Sequence, residues 1–315
     1  DSITAGAGAD SINGNAGKDT IVAGAGKDVI NGGADDDTVS IAVAELTADD
    51  TIAGDAGTNT LSITGGAADL ADADFAKVST IQTIATDASD WAGDTWTLGS
   101  NSDTAGIVTI DTSLATGSGA LTIAAGENDN NLTVTGSTTA ATDLTFTGGD
   151  GNDTVTTGNA ANTAVLTGGA GTNTFNILSA GTVNTISDLK GSDVLTLDAD
   201  GDVVATVTAD WTATTATINN SSIANGAITG ADGIDVDLSA ATSTIFGFDI
   251  NGGATAATLI GSDQADSIDG GAGNDTITAG AGADTINGAA GDDSITAGAD
   301  DDTITFAVAE LTGDD

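Results

Sequence analysis

Asp recurs every nine residues near both ends of this chain, at Asp1, Asp10, Asp19, Asp28 and Asp37 and again at Asp266, Asp275, Asp284, Asp293 and Asp302. An aliphatic residue follows two places later each time: Ile3, Ile12, Ile21, Ile30 and Val39, then Ile268, Ile277, Ile286, Ile295 and Ile304. Gly precedes the Asp by two places at Gly8, Gly17, Gly26, Gly273, Gly282 and Gly291. Glycines permit the positive φ and close backbone approach of a tight turn. The three residues after each Asp form a very short strand whose side chains alternate, aliphatic inward and Ser, Thr or Asn outward. One unit cannot bury its Ile alone, so units must stack into a solenoid. The chain is predicted to be all-β, a parallel β-roll or β-solenoid of nonapeptide repeats.

Stacking sets carboxylates in columns about 4.8 Å apart. A pair at that spacing repels by roughly 0.9 kcal/mol in water and about 3.5 kcal/mol at an effective dielectric of 20. Burying one Ile returns about 1.5–3 kcal/mol. The two terms are comparable, and a divalent cation between successive turns reverses the sign of the first. Ca²⁺ suits the place because it accepts six to eight oxygens, carboxylate or carbonyl, in flexible geometry. The expected ligands are the ten phased Asp residues above and Asp153, and the blocks are expected to order when calcium binds.

The units resemble those of RTX (repeats-in-toxin) proteins, most closely at Gly148-Gly149-Asp150-Gly151-Asn152-Asp153-Thr154-Val155 and Gly270-Gly271-Ala272-Gly273-Asn274-Asp275-Thr276-Ile277. The resemblance implies a parallel β-roll with two units per coil, so that Asp10 stacks on Asp28 and Asp275 on Asp293. Some units depart from the pattern. Asn15 and Ala289 replace the second glycine, and Asp35 and Asp300 the fourth-position glycine. Asn59 and Asn173 stand where the key Asp is expected, which predicts coils with weak or absent calcium binding.

The sextet Ala42-Val43-Ala44-Glu45-Leu46-Thr47 returns as Ala307-Val308-Ala309-Glu310-Leu311-Thr312. In the register this fixes, 1–50 aligns with 266–315 without gaps and most positions are identical. The chain therefore reads as a window on a longer tandem array. The expected divisions are an RTX block at 1–41 and a connecting β segment with a variant unit at 42–104. A β-solenoid around a central RTX unit follows at 105–180, then an irregular β segment at 181–250. A second RTX block at 251–306 precedes the start of another period at 307–315. Between 105 and 180, apolar-Thr-apolar strands such as Leu121-Thr122-Ile123 and Leu132-Thr133-Val134 recur at a spacing somewhat longer than the nonapeptide. They fit longer solenoid coils, with a β-sandwich as the alternative. The stretch Ala67 to Thr83 is read as a short helix or surface loop, and Trp91, Trp96 and Trp211 as core or capping groups.

The formal charge is −43, from 47 acidic and 4 basic residues. Such a chain has nothing to pair with phosphates, which excludes nucleic acid as a partner. No apolar run is long enough to cross a membrane. Without His or Cys, the usual catalytic triads, thiol nucleophiles and zinc sites cannot be built, and no enzyme is expected here. The RTX units, the Thr/Ala-rich strands and the stretch Phe75, Val78, Ile81 are similar to bacterial RTX-type surface-layer proteins and to giant surface adhesins. That resemblance implies type I secretion, an extracellular bacterial cell-surface location and self-association into an S-layer or filament. It also implies contact with cell-surface polysaccharide through calcium. The alternatives are the stalk of an adhesin or the tail of a secreted enzyme.

Overall fold

The computed structural model describes residues 1–66, 68–117, 119–138, 143–158, 163–178, 183–198, 202–221, 226–243 and 245–305. Two compact units divide the chain, Asp1–Ala164 with Gly168–Gly171 and Val165–Thr167 with Thr172–Asp315. The expected restart at 307–315 lies outside the described residues. All strand pairings given below are parallel.

In the first unit one face is laid down by strands Ser2–Thr4, Thr20–Val22, Thr38–Ala42, Thr60–Thr64, Thr83–Thr86, Thr109–Asp111, Thr133–Thr135 and Thr154–Thr156, each paired with the next. Their central inward residues are Ile3, Ile21, Val39, Leu61, Ile84, Ile110, Val134 and Val155. The first coils, Ile3 to Ile21 to Val39, are each two nonapeptides long. The coil is longest between Ile84 and Ile110 and tightens again between Val134 and Val155. In the short coils Ser11↔Val29 puts Asp10 over Asp28, as the repeat implies. Ile21, Leu61, Ile84, Ile110, Val134 and Val155 are fully buried. Each contributes about 1.5–3 kcal/mol by leaving water.

The second face of this unit changes hands where the coil is longest. Strands Ser11–Asn13, Val29–Gly33, Thr51–Asp55 and Val78–Ser79 pair in order. A separate ladder then begins with Thr95–Thr97, Ala120–Ala124 and Asp143–Thr147. A 3₁₀ turn at Asp72–Phe75 precedes the last strand of the first ladder, and a short α-helix at Ser100–Ala105 follows the first strand of the second. The expected helix or loop in 67–83 is thus one 3₁₀ turn plus the strand Val78–Ser79. Asp72 joins the two pieces by accepting the backbone N–H groups of Gly99, Asn101 and Ser102 at 2.7, 3.1 and 2.9 Å. These are donors that a helix start leaves open. Trp91 and Trp96 are fully buried and meet edge to face, with centroids 5.5 Å apart.

The second unit repeats the logic with longer strands. One face carries Thr174–Ile177, Val194–Leu197, Ile218–Asn219 and Thr242–Ser243. Another runs from Val183–Gly191 through Asp202–Thr212, Gly226–Gly230, Phe248–Asn251, Ser267–Asp269 and Thr285–Asn287 to Thr303–Thr305. The long strand Asp202–Thr212 also pairs with Val236–Asp237, which opens a further ladder through Thr258–Ile260, Thr276–Ala281 and Ser294–Ala299. From Thr258 onward each coil is again two nonapeptides, with Leu259 beside Ile277 and Ile277 beside Ile295. The described strands of 105–180 pair in parallel, as longer solenoid coils would, and those of 181–250 also form parallel ladders. Trp211 is fully buried and donates its indole N–H to the carbonyl of Asp193 at 2.9 Å, a structural use of the ring.

Candidate metal centre

Beyond the first coil, each phased Asp uses one carboxylate oxygen to tie its coil to the one before. Oδ1 of Asp28 accepts the backbone N–H of Asp10 at 3.0 Å, Asp37 that of Asp19 at 2.8 Å, and Asp275 that of Ala257 at 2.9 Å. Asp284 accepts the N–H of Asp266 at 2.8 Å, Asp293 that of Asp275 at 2.9 Å, and Asp302 that of Asp284 at 3.1 Å. Asp153 plays the same part for Leu132 at 2.9 Å. The strand register forces this contact, because the Asp stands at the start of its strand, one coil above the N–H it receives.

The other oxygen meets no donor. Oδ2 of Asp10, Asp19, Asp28, Asp37, Asp275 and Asp284 is buried and lacks a hydrogen-bond partner. A buried, unsatisfied carboxylate oxygen costs more than a neutral group, so it marks a place for a cation. What lies beside it is backbone carbonyl. A Cβ placed on Gly32 would stand 2.5 Å from Oδ2 of Asp37 and 2.9 Å from the carbonyl oxygen of Gly54. One on Gly270 would stand 2.7 Å from Oδ2 of Asp275 and 2.7 Å from the carbonyl oxygen of Gly288. Before Asp19, Asp37 and Asp275 a glycine five places earlier leaves room for the two oxygens to approach; before Asp10, Asp28 and Asp284 that place is Ala5, Ala23 and Ala279. Among the described residues no three acidic side chains converge. The cradles at Asp19, Asp37 and Asp275 instead pair carboxylate with carbonyl, a donor set that suits Ca²⁺ and does not suit softer metals.

Asn59 supplies the internal comparison. Its Oδ1 accepts the N–H of Asp37 at 2.9 Å, as an Asp would. Its Nδ2 donates to the carbonyl of Thr80 at 3.1 Å and would lie 2.5 Å from a Cβ on Gly54. The amide thus fills with its own N–H the place that the carboxylate leaves to a cation. Gln82 continues the column by accepting the N–H of Asn59 at 2.7 Å. Asn173 has its N–H on Oδ1 of Asp193 at 2.7 Å.

Not every phased Asp is equivalent. Asp266 has Oδ1 on the N–H of Phe248 at 2.6 Å and Oδ2 on the N–H of Ser262, also at 2.6 Å, so its cradle is closed from within. Asp1 is exposed, and Asp293 and Asp302 are half-buried. Two residues of the same columns lie outside the nine-residue phase. Asp50 accepts the N–H of Asp28 at 2.9 Å and turns its second oxygen to Thr47. Asp193 caps Asn173 and accepts the N–H of Lys190 at 3.0 Å. Both obey the Asp-x-aliphatic rule, as Asp50-Thr51-Ile52 and Asp193-Val194-Leu195, and that signal finds them. Glu45 and Asp188 stand five places earlier, where the phased Asp residues have Gly or Ala.

The departures from the glycine pattern keep the turn all the same. Asn15, Asp35, Ala289 and Asp300 adopt φ of 73°, 79°, 65° and 82° where the other units place Gly. An L residue there costs roughly 1–2 kcal/mol, least for Asn and Asp. In the acidic triplet Asp35-Asp36-Asp37 the three residues divide their work. Asp35 makes the turn, Asp37 stands in the column, and Asp36 pairs across the coil with Lys18 at 2.6 Å. Lys27 reaches Asp49 in the same way at 2.6 Å.

Burial, partly offset by the backbone N–H bonds, pushes the carboxyls of Asp275 and Asp284 up; Asp293 and Asp302 in the next coil push them further. Burial drives Asp153 to about 6 and Asp266 to about 7. These groups hold protons in the folded chain that the unfolded chain has released. Between about pH 4 and 7 the folded state binds more protons, so stability falls as pH rises through that window. The loss is on the order of 3–4 kcal/mol for each of the two. In chelator the melting temperature is therefore expected to be higher near pH 5 than near pH 8. Calcium should invert the order, because it binds the ionised carboxylate. Melts at both pH values with and without calcium check this; a chelated protein that gains stability toward pH 8 refutes it.

Parallel coils, glycine turns and columns of carboxylate-carbonyl cradles define a calcium-binding β-roll. The profile of the RTX calcium-binding nonapeptide repeat, in four copies, matches residues 4–39, 251–286 and 278–307. These blocks belong to that family, and the family binds calcium. The unit around Asp153 falls outside the matched segments but shares their contact pattern. No curated protein and no solved structure matches the chain.

Proposed function

We propose that this chain is a calcium-set structural module of a bacterial extracellular surface protein, and that its copies associate into an S-layer or filament. The carrying observation is the buried, donorless Oδ2 repeated at Asp10, Asp19, Asp28, Asp37, Asp275 and Asp284. Asp19, Asp28, Asp37, Asp275 and Asp284, with Asp10 and Asp293 at the column ends, would hold calcium together with backbone carbonyls of the adjoining turns. Calcium supplies the positive charge that lets acidic coils close on one another. The roll is then an ordering device, and its carboxylates are occupied by that task. The exposed Asp300 and Asp301 are free to take calcium shared with another copy or with surface polysaccharide. The return of the Ala42–Thr47 sextet at Ala307–Thr312 supports an array of such modules. RTX repeats are typical of secreted bacterial proteins, which supports the extracellular site.

The test is light scattering and circular dichroism together during a calcium titration from chelator. Gain of β signal with growth of particles supports a structural polymer. Gain of β signal with the particle size of one chain favours an adhesin stalk or the tail of a secreted enzyme. An unchanged β-rich spectrum removes the calcium-set reading.

A further inference from the structure

Four Asn-Gly pairs occupy one place in the coil: Asn13-Gly14, Asn31-Gly32, Asn251-Gly252 and Asn287-Gly288. The register sets Asn13 beside Asn31, Asn251 beside Asp269, and Asp269 in turn beside Asn287. The Gly is needed at these places: a Cβ on Gly14, Gly32 or Gly252 would collide with the carbonyl oxygen of Gly32, Gly54 or Gly270, and one on Gly288 would crowd Oδ2 of Asp293. The Asn is not obligatory, since Asp269-Gly270 fills the same place.

Asn before Gly is the sequence in which the following main-chain nitrogen most easily reaches the side-chain carboxamide, because no Cβ stands in the way. The Gly nitrogen bonds to Cγ, the Cγ–Nδ2 bond breaks, and ammonia leaves with the proton from the Gly nitrogen. Water then opens the cyclic imide at either carbonyl, leaving Asp or isoaspartate. The net change is one water consumed and one ammonia released, with no other reactant.

The folded coil opposes the first step. The Gly14 N–H donates to the carbonyl of Asn31 at 2.9 Å and the Gly252 N–H to that of Asp269 at 2.8 Å. Gly32 lies inside the strand Val29–Gly33, paired along Thr51–Asp55. A nitrogen that keeps its proton in a ladder bond, on an extended backbone, is a poor nucleophile. The two products differ in consequence. An Asp fits: Asp269 accepts the N–H of Gly271 at 3.0 Å and the Asn287 amide at 3.2 Å. Isoaspartate adds a carbon to the main chain directly before the glycine; at Asn13, Asn31 and Asn287 this spoils the spacing to Asp19, Asp37 and Asp293, and at Asn251 the close approach of Gly252 to the Gly270 carbonyl.

We propose that these four Asn-Gly pairs are self-modification sites, shielded by the ordered coil and opened when calcium leaves, at which isoaspartate formation ends the chain's ability to close its calcium cradles. This rests on the calcium-set folding proposed above.

The experiment incubates the full chain at mildly alkaline pH in calcium, in chelator and in urea. Peptide mapping by mass spectrometry, with isoaspartate resolved, is read beside circular dichroism of the same samples. Deamidation at Asn13, Asn31, Asn251 and Asn287 should run at similar rates in chelator and urea, and slower in calcium by on the order of tenfold or more. The isoaspartate-bearing fraction should fail to regain β signal on return to calcium, while an Asn287→Asp variant regains it. Equal rates in calcium and urea would overturn the shielding. A collapsed spectrum in chelator with rates still at the calcium level would overturn the gating while leaving calcium-set folding intact. An unchanged spectrum and rate in chelator would overturn both together.

Discussion

Withdrawing calcium is expected to open the two repeat blocks while the coils between Asn59 and Thr135 stay closed. The column of phased Asp is carboxylate in the blocks and changes to amide at Asn59 and Gln82. Asn59 and Gln82 satisfy both neighbouring coils with neutral groups. Asp72 ties the short helix Ser100–Ala105 to the coil below. Buried Phe75, Trp91 and Trp96 give this stretch more apolar bulk than the Ile of a nonapeptide coil. Solenoid stability is a sum of coil terms and neighbour terms, so segments can open separately. Each calcium at about 100 times its dissociation constant contributes roughly 2.7 kcal/mol, about a hundredfold in the opening equilibrium. Hydrogen exchange in chelator should therefore accelerate by about that factor for Thr20–Val22, Thr38–Ala42, Thr276–Ala281 and Thr285–Asn287. It should change little for Thr60–Thr64, Thr83–Thr86 and Ala120–Ala124. Uniform exchange along the chain would contradict a middle that holds without calcium.

What could be read beforehand follows the phase of the repeat. Where Asp, Gly and Ile keep step, as from Asp1 to Val39 and from Ser267 onward, the inward residue, the coil length and the stacking of Asp10 on Asp28 are all legible. Where the coil lengthens, from Val39 through Leu61 and Ile84 to Ile110, the apolar spacing no longer says which strand lies over which. The move of the second face from Val78–Ser79 to Thr95–Thr97 therefore has no signature. The long strands Val183–Gly191 and Asp202–Thr212 are hidden by their Thr, Asn and Asp content. Their inward Ile186, Leu189, Val203, Val207 and Trp211 become clear only once the coils are stacked. Asp72 acts on Gly99 and Ser102, far along the chain, which no local pattern announces. At the cradle, the carboxylate was legible from its phase, but its division into a capping Oδ1 and a donorless Oδ2 required the coil register.

That division makes substitution of Asn for Asp in the columns the sharpest chemical test. In Asp37→Asn the Oδ1 would still accept the Asp19 N–H, and the new Nδ2 would face the Gly54 carbonyl as Asn59 faces that of Thr80. One buried acceptor without a donor is removed, worth about 1–3 kcal/mol, and one carboxylate ligand is lost. The same reasoning covers Asp19, Asp275 and Asp284, whose Oδ2 atoms are likewise buried without donors. A variant with all four replaced should melt higher than the parent in chelator and gain less from calcium. Its midpoint should also lose most of the dependence on calcium concentration. A merely structural Asp predicts the reverse, since replacing a carboxylate that needs no cation would leave the calcium response intact. Gly32→Ala separates the two halves of the cradle. Its Cβ would crowd Oδ2 of Asp37 at 2.5 Å and the Gly54 carbonyl at 2.9 Å, so it should weaken the fold in chelator and in calcium alike. Calcium-selective gain in the Asn series, set against calcium-blind loss at Gly32, would locate the cation between carboxylate and carbonyl. Equal losses in both series would place the columns' role in packing alone.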